Sequence, residues 1–247
     1  MIHVKLTRKE LVKSRACKSG LMVFERTYPD GLDIAWTTKE QIKLIMGPCS
    51  PFLGWAVAHS LLPHICLEKA NLKGALLKEV SFWRASLDGA DFSGADLREA
   101  DLSGAILYEA DLQGANLKGA LLEGATLLYA NLQGANLEDA NLIGADIGNA
   151  DLNGADLEGA DLQGANLSGA LLEGANLSGA ILEGANLGYA NLRGANLAGA
   201  ILQRANLLHA NIEGANLEEA HLEGAHIRKQ LAANEGNTEG DTNGNEE

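Results

Sequence analysis

The residues with the chemistry to form a site in this chain are carboxylates. Asp91, Asp96, Asp101, Asp111, Asp146, Asp151, Asp156 and Asp161 are separated by multiples of five, and each stands one place before a large apolar residue. Carboxylates that converge hold a divalent cation or work as an acid/base pair. Carboxylates spread along a surface attract basic partners instead. His221 and His226 lie five apart at the same point of the pattern, while Cys17, Cys49 and Cys66 form an odd set at no metal-ligand spacing. Unpaired cysteines favour a reducing cytosol over a disulfide framework, and they read as small buried apolar residues. No nucleophile–base–orienter group, phosphate loop or cofactor fingerprint appears. The expectation is a non-enzyme with no metal and no cofactor, which only a site concealed in residues 1 to 64 would overturn.

What positions these carboxylates is a repeat. From 70 to 225, every fifth residue is Ala at 31 of 32 positions, Val80 being the exception. The 32 centres two places later, Leu72 to Ile227, are all Leu, Ile or Phe. In an α-helix, five residues advance about 500°, so these centres would scatter around the axis and form no stripe. The 22 glycines of the run also each cost about 1 kcal/mol in a helix relative to Ala. Ala and Leu two apart share one face of an extended chain. A short extended piece therefore points Ala and Leu inward and the rest of the unit turns a corner. Stacked, such pieces form an all-β solenoid.

The units Ala95-Asp96-Leu97, Ala115-Asn116-Leu117 and Ala155-Asp156-Leu157 resemble the A(D/N)LXX unit of the pentapeptide repeat family, and the match covers about two thirds of the chain. The resemblance implies a right-handed quadrilateral β-helix with four units, or twenty residues, per coil. The run then makes about eight coils, and at roughly 4.8 Å per layer it forms a rod about 38 Å long. The last residue of the unit is Gly at 14 of 16 positions ending in 4, where Arg84 and Arg204 depart, and at only 6 of 16 ending in 9. Glycine supplies the φ > 0 of a type II turn, so the glycine-rich corners read as type II turns and the others as mixed.

This geometry decides the role of the carboxylates. Asp146, Asp151, Asp156 and Asp161 ring one coil, one per wall, and cannot converge. Asp91 and Asp111, twenty apart, stack in one column. His221 and His226 fall on adjacent walls. Asn or Asp before the centre has a structural use, hydrogen bonding to neighbouring backbone. Together the eight aspartates form a candidate acidic interaction surface.

Residues 1 to 64 do not repeat. Thr7-x-x-Glu10 and Thr38-x-x-Gln41 are capping boxes, Ser50-Pro51 opens a third segment, and Pro29-Asp30-Gly31 is a turn. Three short helices with Phe24, Trp36, Phe52 and Trp55 available for packing predict a small α-helical module. It either caps the rod, packing Trp55, Phe52 or Leu62 on the first coil, or binds a partner. Ile65-Cys66-Leu67 already resembles a degenerate unit, so the solenoid is placed at 65–229. The tail, 230–247, is rich in Asn, Gly, Glu and Thr and reads as disordered. With no strong C-terminal cap, either residues 228 to 233 cover the last coil or two rods meet end to end as a homodimer.

Charge divides the same way. Residues 70 to 227 hold seven Lys/Arg against 22 Asp/Glu, net −15, while residues 1 to 69 are net +4. Such a rod repels nucleic acid and anionic membrane and attracts basic surfaces. No apolar run reaches 18 residues and the first eight lack the apolar core of a signal peptide, so no membrane association and a cytoplasmic location are expected. The function expected is a non-catalytic scaffold that binds a protein partner. The alternative comes from the resemblance: some pentapeptide repeat proteins imitate duplex DNA and bind DNA gyrase. Against it, this chain has no loop interrupting the coils, has Leu rather than Phe at most centres, and lacks an apolar C-terminal dimerisation segment.

Overall fold

Every backbone amide of a five-residue unit needs a partner, and the arrangement that satisfies all five is the fold. In the unit 91–95, Asp91 N–H donates to the Ala70 carbonyl of the coil before at 2.9 Å, and Phe92 N–H donates to Asp111 of the coil after at 2.7 Å. Gly94 N–H donates to Gln113 at 2.9 Å, and Ala95 N–H closes the turn onto the Phe92 carbonyl at 2.9 Å. The fifth amide, Ser93 N–H, finds no carbonyl and donates to the Asp91 side chain at 2.9 Å. The consensus Asn or Asp thus fills the one vacancy the coil leaves.

The computed structural model describes residues 3–6, 24, 28, 32–35, 41–42 and 64–227. Parallel bridges join each residue of the first unit position to the one twenty later, from Cys66↔Ser86 to Asn206↔His226. The chain is therefore a β-solenoid with a twenty-residue layer, four units to a turn. Its axis is filled by alternating Ala and Leu, Ile or Phe, and nearly all inward residues from Leu77 to Leu202 are fully buried. Phe82 and Phe92 meet edge to face at 5.7 Å where Phe replaces Leu. At roughly 2 kcal/mol per buried Leu, this column drives folding against the backbone entropy of ordering so long a run.

The corners are more uniform than the glycine pattern predicts. All turns from residue 69 to 224 have positive φ at the third position, and Glu, Arg, Tyr, Lys, Asp, Asn and His adopt it at 51° to 62°. With positive φ absent from the second position, the signs are those of a type II turn throughout. The glycine-poor corners are not mixed. Closing a four-sided coil demands this bend at every corner, so non-glycine residues accept a left-handed conformation costing about 1–2 kcal/mol each.

Two strands, β1 His3–Leu6 and β2 Leu32–Ala35, pair antiparallel with Val4 opposite Ile34. The expectation of an all-helical module did not include them. His3-Val4-Lys5-Leu6 alternates polar and apolar residues throughout and Leu32-Asp33-Ile34 does so over three, a period of two that capping signals nearby obscured. Phe24, Gln41 and Ile42 are helical, the latter two where the second helix was expected. The rest of the expected helical segments, with Trp55, Phe52 and Leu62, falls outside the described residues, as do Cys17, Cys49 and the tail 230–247. Phe24 and Leu32 belong to the same buried core as Ile65 and Leu67, with Tyr28 and Ile42 packed against it. Gln41, 4% exposed, accepts the Cys66 amide at 2.7 Å. Cys66 itself is exposed, against the expectation of burial. It stands at the outward first position of a unit whose inward residues are Ile65 and Leu67.

Candidate interaction surface

The eight aspartates occupy the first position of their units and are half-buried. Each accepts the amide two residues on. The distances run from 2.9 Å at Asp91 and 3.0 Å at Asp101 to 3.4 Å at Asp96 and Asp146. Asp111, Asp151, Asp156 and Asp161 do the same at 3.1 to 3.2 Å. Asp91 bridges Asp111 in one column, while Asp146, Asp151, Asp156 and Asp161 pair with four different columns and stand on successive walls. The structure spreads these carboxylates around the rod. Among the described residues no three His, Cys, Asp or Glu side chains are grouped to hold a metal ion, and His221 and His226 join separate columns.

Local partners keep part of this surface ionised. The Ser93 hydroxyl, 2.6 Å from Asp91, together with the Ser93 amide holds that carboxyl below its ordinary range. The Arg98 guanidinium does the same for Asp96 through contacts of 2.7 and 2.6 Å. Along the columns, Asn side chains donate to the residue one coil before. Asn166 donates to Asp146 at 2.8 Å, Asn186 to Asn166 at 3.1 Å and Asn206 to Asn186 at 2.9 Å. These side chains serve as backbone caps as well as surface charges, which fixes where each carboxylate or amide points.

The model of the family "Pentapeptide repeats" matches residues 65–104, 105–144, 122–159, 140–179, 150–188 and 190–228, with eight copies. The chain belongs to the pentapeptide repeat family. Membership brings the family's right-handed β-helix solenoid. A pentapeptide repeat protein from the Arabidopsis thaliana thylakoid lumen is 33% identical, over 40% of this chain and 69% of that one, with a TM-score of 0.40. HetL of Nostoc sp. strain PCC 7120, a pentapeptide repeat protein involved in heterocyst differentiation regulation, is 37% identical. That alignment covers 66% of this chain and 89% of HetL, with a TM-score of 0.25. QnrB1, a plasmid-mediated fluoroquinolone resistance protein, is 20% identical over 68% of this chain and 92% of its own, with a TM-score of 0.38. Comparison with curated proteins gives no match.

In a pentapeptide repeat rod the informative residues are departures from the unit, and one corner collects them. The turns at 88–89, 108–109, 128–129, 148–149, 168–169, 188–189 and 208–209 stack through backbone bonds such as Tyr129 N–H to Gly148 at 3.2 Å and Tyr189 N–H to Leu208 at 3.0 Å. Tyr108, Tyr129 and Tyr189, the rod's three tyrosines, all stand here, 40%, 54% and 70% exposed. Tyr108 and Tyr129 meet edge to face at 5.7 Å, and Tyr189 stacks on His209 at 4.6 Å. Gly148 and Gly188, the only glycines of the run at the second turn position, lie on the same corner. Sequence reasoning missed this cluster. The signal was present: sorting the run by twenty rather than five puts the tyrosines in adjacent columns.

Proposed function

We propose that this chain is a non-catalytic scaffold that binds a protein partner through the rod. The reading takes the rod as about eight coils of a quadrilateral β-helix in the cytoplasm, with residues 1–64 capping its start and 230–247 a polar tail. The observation that carries it is the set of carboxylates Asp91, Asp96, Asp101, Asp111, Asp146, Asp151, Asp156 and Asp161, distributed over all four walls of the rod. Each carboxylate is fixed by a backbone amide and the stretch 70–227 is net −15. A fixed anionic surface around the rod offers a basic protein surface complementary charge at low ordering cost and repels nucleic acid and anionic lipid. Side chains radiating from a filled axis leave no converging group for catalysis in this reading. Capture with the full chain as bait from a bacterial lysate, at low and physiological salt, tests it. A salt-sensitive protein partner is expected, and its absence at both salts rejects the reading.

The second reading, a DNA mimic that binds a topoisomerase such as gyrase, draws on the same charge. Net −15 over about 38 Å is one charge per roughly 2.5 Å, against about 1.7 Å for duplex DNA. A gyrase supercoiling assay decides it: inhibition that grows with rod concentration supports mimicry, and unchanged supercoiling removes it. Association of two rods through their last coils belongs to either reading, and sedimentation of the full chain tests it.

A further inference from the structure

The inference rests on the scaffold reading and names the surface and the kind of partner. We propose that the tyrosine corner is the docking surface for an extended, arginine-bearing segment of a partner protein.

The fold does not call for tyrosine there. The third turn position needs positive φ, where a bulky residue is an outlier, yet Tyr129 and Tyr189 hold φ of 59° and 61°. Their rings point away from the core and add nothing to it, at 54% and 70% exposure. Tyr108, Leu128 and Leu208 add apolar surface at the second position of the same corner, with Ile106 alongside at 45% exposure. Two unfavourable features, left-handed strain and exposed aromatic area, thus coincide at one corner of four.

Shape points to an elongated occupant. The Tyr108–Tyr129 pair and the Tyr189–His209 stack bracket Gly148, Asn149, Ser168, Gly169 and Gly188. At Gly148 a Cβ would come within 3.0 Å of Leu128, so the small residue keeps the corner low there. Tyr129 and Tyr189 are three layers apart, roughly 14 Å, which an extended peptide spans with about four residues. The corner is a low saddle with an aromatic platform at each end.

Charge selects the chemistry. The seven lysines and arginines of residues 70–227 (73, 78, 84, 98, 118, 193 and 204) all sit at the other three corners. The tyrosine corner carries Asp88 and Glu109, and the adjoining walls carry Asp91, Asp111 and Asp151 on one side and Asp146 on the other. Lys69 opens this corner in the first coil, two layers before the Tyr108 turn. From Tyr108 to Tyr189 the corner's own turns carry no lysine or arginine, and aromatic faces rimmed by carboxylates suit guanidinium groups, which stack on rings and pair with carboxylates at once. Two arginines about four residues apart would reach both platforms.

The test uses the full chain and a fluorescein-labelled ten-residue peptide with arginine at its third and seventh positions among serines, followed by anisotropy. The variant Tyr108→Ser, Tyr129→Asn, Tyr189→Asn borrows residues that Ser168 and Asn149 already place in those turn positions, so folding is retained, and the circular dichroism melt checks this. A control, Glu123→Gln, Glu183→Gln, Glu223→Gln, removes three charges at another corner. The expected result is at least tenfold weaker peptide binding by the tyrosine variant, less than twofold change in the control, and no binding of a citrulline peptide, the same sequence with both arginines replaced by uncharged citrulline. No binding by the unaltered chain, equal loss in both variants, or equal binding of the citrulline peptide overturns the proposal. Repeating the lysate capture with both variants separates the two readings. A partner held equally by the tyrosine variant sinks the corner and leaves the scaffold; no partner for any of the three sinks both.

Discussion

The two ends of the solenoid are built from the same unit and differ in what lies beyond them. In the first coil Ile65, Leu67, Leu72 and Leu77 are at most 3% exposed. In the last, Ala210, Ile212, Ala215, Leu217, Ala220, Leu222, Ala225 and Ile227 are only half-buried. At the start, Phe24 and Leu32 extend the core, Tyr28 and Ile42 pack against it, and Gln41 supplies the acceptor that a preceding coil would give Cys66. At the end, the inter-coil amides of Ile212 and Leu217 find no acceptor among the described residues. Sequence alone makes every unit inward-facing, but burial belongs to the neighbour on either side. A repeat rod is as stable as its caps allow.

Removing the covered end should have the largest effect. Deleting residues 1 to 60 takes away Phe24, Leu32 and Gln41 together and exposes the first coil's edge. The expected product is a rod that melts lower and aggregates in scattering measurements. Deleting 230 to 247 should leave the melt unchanged. If both truncations melt alike, the ends do not differ in the way the burial pattern implies.

Next come single residues. Leu157, fully buried at mid-rod, should lose about 2–5 kcal/mol on change to Ala, through lost transfer energy and an unfilled cavity. Leu217→Ala in the half-buried last coil should cost about 1 kcal/mol or less. Glu158→Ala, on an exposed turn, should cost under about 0.5 kcal/mol. Denaturant melts of the three rank the positions, and equal losses would place Leu217 in a closed core. Gln41→Leu is the matching test of the first coil. It leaves the Cys66 amide without its acceptor, at about 1–3 kcal/mol. A loss below 0.5 kcal/mol would mean that water replaces Gln41.

How far this contrast was legible in the sequence differs along the chain. A Leu, Ile or Phe every five residues dictated the solenoid, because no helix tolerates that spacing. The Asp–amide bonds were legible as well, since Asx at a fixed place before a turn has one local use. The corners were not: Glu99 or Tyr129 at φ above 50° contradicts local preference, and only closure of the coil explains it. Before Thr7, the alternation of His3-Val4-Lys5-Leu6 was passed over for a helix signal. The tyrosine corner escaped because period five conceals the period-twenty columns in which neighbours meet.

The smallest difference expected between the ends is one of charge state. The coil stacked on the first carries Asp91 and Asp96, and its counterpart near the other end carries Asn191 and Asn196. Ser93 and Arg98 hold the two carboxyls below their ordinary value of 3.8. A group with a depressed folded pKa binds fewer protons folded than unfolded, so its contribution is complete above about 3.8 and is lost as pH falls through the depressed value. Acid also relieves repulsion within a run of net −15, which raises stability, so the melting temperature of one protein mixes two opposed effects. The double variant Asp91→Asn, Asp96→Asn isolates the first. Its side-chain oxygens still accept the turn amides, as Asn131 accepts Gln133 at 3.2 Å, and only the charge is gone. The unaltered protein should melt slightly higher than the variant at about pH 6, and the gap should close as pH falls through the depressed values, below which the carboxyls are protonated in both states. Asn196→Asp alone should open no comparable gap, since Ala198 stands where Arg98 stands beside Asp96 and no cation two residues on holds the charge. A gap at the first pair that is constant with pH would show that Asp91 and Asp96 act there by shape alone.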